Sequence, residues 1–130
     1  MPLIKLHIHK DSRTTEEVGT LLDTVHAVML AAFGVPERDR YQILFEHDAT
    51  HFVAQDTELG FVRSDSFVMI EVVSRPRSRE QKIDFYRRLA SRLKGDCGVD
   101  PADLMISIVE NNDEDWSFGD GVAQFVAGSL

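Results

Sequence analysis

A single cysteine, Cys97, excludes an intrachain disulfide, so covalent stapling contributes nothing to this chain's stability. Basic residues are scarce as well: 14 Lys and Arg against 22 Asp and Glu leave a formal charge of −8. That balance argues against a protein that follows a phosphate backbone and releases its counterions, so no nucleic-acid partner is expected. No apolar run approaches the length needed to cross a bilayer, and no membrane role is expected. The start, Met1-Pro2-Leu3-Ile4-Lys5-Leu6-His7, has neither the basic opening nor the apolar stretch of a secretory signal. With its lone thiol, the chain fits the reducing cytoplasm. Low-complexity tracts are absent too. The 130 residues, 43% hydrophobic and 28% charged, suffice for one domain over 1–130 with a core of its own.

Two periodicities alternate along the chain. Leu3 to His9 places Ile4, Leu6 and Ile8 on one face and Lys5, His7 and His9 on the other, the pattern of a half-buried strand. Thr14-x-x-Glu17 then reads as a capping box, and Val18, Leu21, Leu22, Val25, Val28, Met29 and Ala32 recur at helical spacing until Gly34 and Pro36. Tyr41 to His47 supplies a second strand. The plan repeats: a strand from Phe67 to Val73, a capping box at Ser78-x-x-Gln81, a helical stripe through Tyr86, Leu89 and Leu93, and a strand from Leu104 to Val109. Thr14 and Ser78, Gly34 and Gly98, and Asp39 and Asp103 are each 64 residues apart, which reads as an internal duplication. The repeats run from about 2 to 48 and from about 66 to 110.

Duplicated β-α-β units predict an α+β, two-layer fold, a four-stranded mixed sheet with two helices on one face. The uncovered sheet face predicts self-association. Residues 111–130 carry Trp116, Phe118, Phe125 and Leu130, too apolar a load for a free tail, so this segment is expected to pack over a neighbouring surface.

Few residues stand out chemically. Arg75-Pro76-Arg77 joins the third strand to the second helix, and residues two apart in extended chain point the same way. Arginines just before a helix N-terminus oppose its macrodipole unless an anion sits there. Taken alone, the pair fits an anion site or two solvated side chains. Pro2 follows the initiator Met, and a small residue there permits Met1 to be removed, leaving a free secondary amine. Such an α-amino group titrates close enough to neutrality to act as acid, base or electrostatic catalyst. Its counterpart in the second repeat is Ser66, so only the first copy can supply an amine. Asp39, at the entrance to the second strand, fits either a turn residue or the partner of that amine. His7 and His9 form an H-x-H pair with no evident further ligand, so no metal is expected. His26 reads as a satisfied, partly buried histidine, and Cys97 as a small buried apolar residue.

Pro2 behind Met1, the duplicated unit and the arginine pair resemble the tautomerase superfamily. Within it, Phe33-Gly34-Val35-Pro36, Asp39-Arg40-Tyr41-Gln42, Ser74-Arg75-Pro76-Arg77-Ser78, Glu80-Gln81-Lys82, Asp96-Cys97-Gly98 and Asp115-Trp116-Ser117-Phe118-Gly119 resemble the malonate semialdehyde decarboxylases across almost the whole chain. The resemblance implies Pro2 as catalytic amine, Asp39 as its acidic partner, and Arg75 and Arg77 as holders of a small carboxylate substrate. It implies a pocket wall from Trp116, Phe118, Phe125 and Leu130, a homotrimer, and a reaction without metal or cofactor. The expected reaction converts malonate semialdehyde or a similar 3-oxo acid to acetaldehyde and carbon dioxide. The alternatives are tautomerisation, or hydration or dehalogenation of small unsaturated acids, and a non-catalytic ligand-binding trimer.

Overall fold

The computed structural model describes residues 2–130, and its elements follow the two periodicities in order. Strand β1 (Leu3–His9) buries Ile4, Leu6 and Ile8 on one face. Helix α1 (Thr15–Phe33) opens where the Thr14 hydroxyl accepts from the Glu17 N–H at 3.2 Å and the Glu17 carboxylate accepts from the Thr14 N–H at 2.9 Å. Two donors that no helical carbonyl could reach are thereby satisfied. It closes at Gly34, whose φ of 63° is the left-handed conformation that glycine adopts without a Cβ penalty. Strand β2 (Tyr41–His47) follows. After the turn at Ala49–His51 and a long connection, β3 (Val68–Ser74), α2 (Arg79–Cys97) and β4 (Leu104–Glu110) repeat the scheme. Ser78 and Gln81 form the second capping box.

The sheet order is β2-β1-β3-β4, with parallel outer pairs and an antiparallel centre. Both helices lie against one face. Leu21, Val25 and Met29 of α1 and Phe85, Leu89 and Leu93 of α2 share one core with Ile4, Leu6, Val68, Ile70 and Val72. Phe33 and Phe85 stack at 4.8 Å where the helices meet, and each buried ring of this kind contributes about 1.5–3 kcal/mol. This is the four-stranded mixed, two-layer architecture that the patterning implies.

Strand β3 begins one residue later than its apolar run and ends one residue beyond it. Phe67 is held in a turn by its N–H to the Ser64 carbonyl, while the Ser74 carbonyl extends the ladder by accepting from Asn111 N–H at 2.8 Å. The opposite sheet face is open and apolar: Ile43, Phe45, Met105 and Val109 are all exposed. It also carries a hydrogen-bonded chain, Glu71 to His7 at 2.6 Å and His7 to His47 at 2.7 Å, while the His9 ring packs edge-on against Phe52. Among the described residues no helix is long and apolar enough to cross a membrane.

Register decides which residues meet. Leu3 lies opposite both Tyr41 and Val73, so the starts of β1 and β2 and the end of β3 form one end of the sheet. The chain after β4 leaves from that same end, makes a turn at Asp113–Asp115 and a short helix α3 (Gln124–Ala127), and stacks Phe118 on Tyr41 at 5.6 Å.

Candidate active site

Four residues flagged by the sequence lie at this end for topological reasons. Pro2 immediately precedes β1, Asp39 stands two residues before β2, and Arg75 and Arg77 follow β3 directly. A cavity of about 300 Å³ is lined there by the Gly34–Pro36 loop, Asp39, Arg75, Arg77, Phe125 and Leu130. Pro2 is buried at the strand end and does not line the cavity.

The Arg77 guanidinium is fixed in place. Its Nε donates to Ser74 Oγ at 3.0 Å, its Nη1 donates to the Phe33 carbonyl at 3.3 Å, and it lies 5.1 Å above the Phe33 ring. Ser74 is fully buried and its hydroxyl donates in turn to the Arg75 carbonyl. Burial, and then the like charge of Arg75, work against the Arg77 cation, while Asp39 supports it. An anion between the two arginines would relieve that repulsion.

Arg75 is held from the other side. Its Nε donates to Asp113 Oδ1 at 2.7 Å, and its guanidinium sits 4.1 Å over the Phe125 ring. The loop carrying both arginines is pinned by Glu110, which accepts from the Arg77 N–H at 2.7 Å and from Lys82 at 3.1 Å. The Arg77 amide, then Lys82, hold the Glu110 carboxyl below the ordinary range.

Asp39 is 4% exposed, and among the described residues neither carboxylate oxygen has a hydrogen-bond partner. Burial pushes its carboxyl up, against the pull of Arg77 and His26. Asp103, 64 residues on and equally buried, shows the ordinary solution: its carboxylate accepts from both the N–H and the hydroxyl of Ser64. A buried carboxylate without donors is costly, so Asp39 is the exception that calls for a ligand or an amine. His26 is buried rather than partly so; its Nε2 donates to the Glu37 carbonyl at 2.8 Å, tying α1 to the loop that carries Asp39, and its Nδ1 has no partner among the described residues.

The aromatic wall differs from the expectation. Phe125 and Leu130 line the cavity, whereas Phe118 stands behind Phe125 and Trp116 behind Phe118. They continue a ladder in which Trp116 stacks on Phe118 at 5.6 Å and Phe118 meets Phe125 edge-on at 5.5 Å. The Trp116 indole N–H is consumed by Asn111 Oδ1 at 2.7 Å, which turns that side chain toward the β4 end instead. The residues that hold the arginines, Ser74, Asp113 and Glu110, had no distinctive sequence signal beyond a lone serine ending an apolar strand. A wider cleft between the helices, about 350 Å³ and bordered by Arg87, Arg88 and Arg92, lacks such convergence, because those arginines are paired with Asp84 and Asp96. Cys97 is half-buried, and burial pushes its thiol up, away from nucleophilic character.

Two family models, both described as tautomerase enzyme, match the chain, one over residues 39–119 and the other over residues 2–61. A probable tautomerase, YrdN of Bacillus subtilis (strain 168), is 46% identical over 130 residues, covering 100% of both chains. The chain belongs to the tautomerase family. Among solved structures, this tautomerase is similar to malonate semialdehyde decarboxylase, a protein described with decarboxylase and hydratase activities, at 46% identity and a TM-score of 0.96 over 98% of each chain. The same fold extends to fused 4-OT, a symmetric trimer, at 20% identity and a TM-score of 0.78 over 97% of this chain and 98% of that one.

Proposed function

We propose that this tautomerase decarboxylates malonate semialdehyde, or a similar short 3-oxo acid, with the Pro2 amine as catalyst. The observation that carries this reading is the meeting of two prearranged arginines with the buried Asp39 carboxylate, which has no donor among the described residues, at the end of the sheet where Pro2 precedes β1. Similarity to malonate semialdehyde decarboxylase over nearly the whole chain supports the choice of substrate.

In this mechanism the ends of Arg75 and Arg77 hold the substrate carboxylate by charge-assisted hydrogen bonds, and the protonated Pro2 amine donates to the aldehyde oxygen. The bond between the carboxylate carbon and C2 breaks, carbon dioxide leaves, and the electron pair moves onto the former aldehyde oxygen as an enolate. The ammonium stabilises that developing charge, and protonation at C2 yields acetaldehyde. Asp39 keeps the amine oriented and cationic. An iminium formed from Pro2 and the aldehyde with loss of water is the other available electron sink. Borohydride separates the two routes, since only the iminium leaves a reduced substrate adduct on Pro2.

Proton NMR of the reaction mixture tests the assignment by the appearance of acetaldehyde. Arg75→Ala lowers kcat/KM about 50-fold, the scale of one charge-assisted hydrogen bond lost from the transition state. Wild-type turnover by that variant would remove the carboxylate site from the mechanism.

Hydration of an unsaturated acid is the second reading, favoured by the hydratase activity described for the similar decarboxylase. Addition of water to a small acetylenic acid must then outrun acetaldehyde release in the same assay. For the assembly we take a homotrimer that covers the open sheet face, as the exposed apolar residues there and the trimeric state of fused 4-OT suggest. Light scattering reads its mass, and a monomer would refute it.

A further inference from the structure

We propose that Asp113 sets the charge this site accepts, making it selective for a monocarboxylate over a dicarboxylate of equal length. The inference rests on the reading of Arg75 and Arg77 as the carboxylate clamp.

A guanidinium offers two hydrogen-bonding edges, a side edge that includes Nε and an end edge made by its two Nη atoms. Asp113 occupies the Nε position of Arg75 at 2.7 Å, and Phe125 covers one face of the group at 4.1 Å. What remains for a substrate is the end edge. One carboxylate fills it.

The charges around the cavity make the same selection. Arg75 and Arg77 are matched by Asp113 and Asp39, and the neighbouring pair Glu110 and Lys82 is neutral in itself. Among these groups the surplus positive charge is that of the Pro2 amine, enough for one anionic group. A second carboxylate would have to lie toward Asp39, which is buried and has no donor of its own among the described residues. It would be repelled there. An aldehyde or a hydroxyl in that place meets no such penalty.

Removing the charge of Asp113 favours every negative charge on a ligand, so a dianion gains about twice what a monoanion gains. Loss of the Arg75 orientation weakens both ligands alike. The ratio of the two affinities consequently isolates the electrostatic role from the positioning one. Asp113 is half-exposed and lies in a short turn, so its replacement leaves the core untouched.

The test uses the full chain and two probes of the same length, malonate as dianion and 3-hydroxypropanoate as monoanion, titrated calorimetrically at neutral pH and low salt. Wild type binds 3-hydroxypropanoate more tightly. Asp113→Asn moves the ratio of dissociation constants about fivefold toward malonate, the size expected for one partly screened charge nearby. Asp113→Glu keeps the wild-type ratio. Glu114→Gln, which removes the same charge from the same turn without touching Arg75, leaves it unmoved. Parallel weakening of both acids in Asp113→Asn overturns the selectivity claim, as does an equal shift in Glu114→Gln. If wild type binds neither acid, the clamp and this inference fall together. A shifted ratio in a protein that releases no acetaldehyde sinks the decarboxylase reading and leaves the role of Asp113 standing.

Discussion

Protein that retains Met1 turns over malonate semialdehyde at least about 10³-fold more slowly than protein from which Met1 has been removed, yet still binds small carboxylic acids. A preceding residue converts the Pro2 nitrogen from an amine into an amide, which cannot hold a proton near neutrality and cannot condense with an aldehyde. Met1 itself lies outside the described residues, but the consequence follows from the bonding of Pro2 alone. Arg75 and Arg77 do not depend on it. Their supports are Ser74, Phe33, Asp113 and Phe125, so binding survives where chemistry does not. Intact mass separates the two forms, calorimetry with 3-hydroxypropanoate measures binding, and acetaldehyde release measures turnover. Equal kcat in the two forms would remove Pro2 from the mechanism.

The features legible in the sequence are those whose causes are local. Thr14 with Glu17, and Ser78 with Gln81, cap their own helices within four residues, and Gly34 and Gly98 close them through their own backbone angles. The grouping of Asp39 with the arginines is almost as direct, because each stands at an element boundary, and the parallel pairing of β1 with β2 and the antiparallel pairing of β1 with β3 bring those boundaries to one end of the sheet. What escaped depends on the return path of the tail. Nothing separates Asp113 from Glu114 and Asp115 in the sequence, yet only Asp113 reaches Arg75. Trp116 and Phe118 look like better wall residues than Leu130, but a single hydrogen bond to Asn111 and a stack on Tyr41 set them behind the residues that line the cavity. His26 reads as ordinary core until its bond to the Glu37 carbonyl shows it holding the Asp39 loop.

Asp39→Asn lowers kcat about 10²- to 10³-fold with KM changed only a few-fold, and it raises thermal stability at neutral pH by about 3 °C. The rate falls because an amide cannot hold the Pro2 ammonium in place or charged. Stability rises because no donor among the described residues bonds the buried carboxylate, and burial raises its carboxyl above the ordinary range by more than the pull of the surrounding cations lowers it. The direction with pH follows by linkage. A carboxyl whose folded pKa exceeds its unfolded value holds its proton more tightly in the native state. Its contribution to stability is complete below the unfolded value and is lost as pH rises through the folded one. Wild type therefore bears the cost at pH 8 and recovers on acidification, whereas the Asn variant has nothing to titrate. Melting temperatures of both proteins from pH 8 down to pH 4 should show the advantage of the variant shrinking steadily. An Asn variant less stable than wild type at pH 8 would mean that the attraction of the Pro2 ammonium for the carboxylate outweighs the cost of burying it. A variant with undiminished kcat would reduce Asp39 to a loop residue. Slower turnover combined with a firmer fold identifies a charge kept for chemistry, because packing alone would have replaced it.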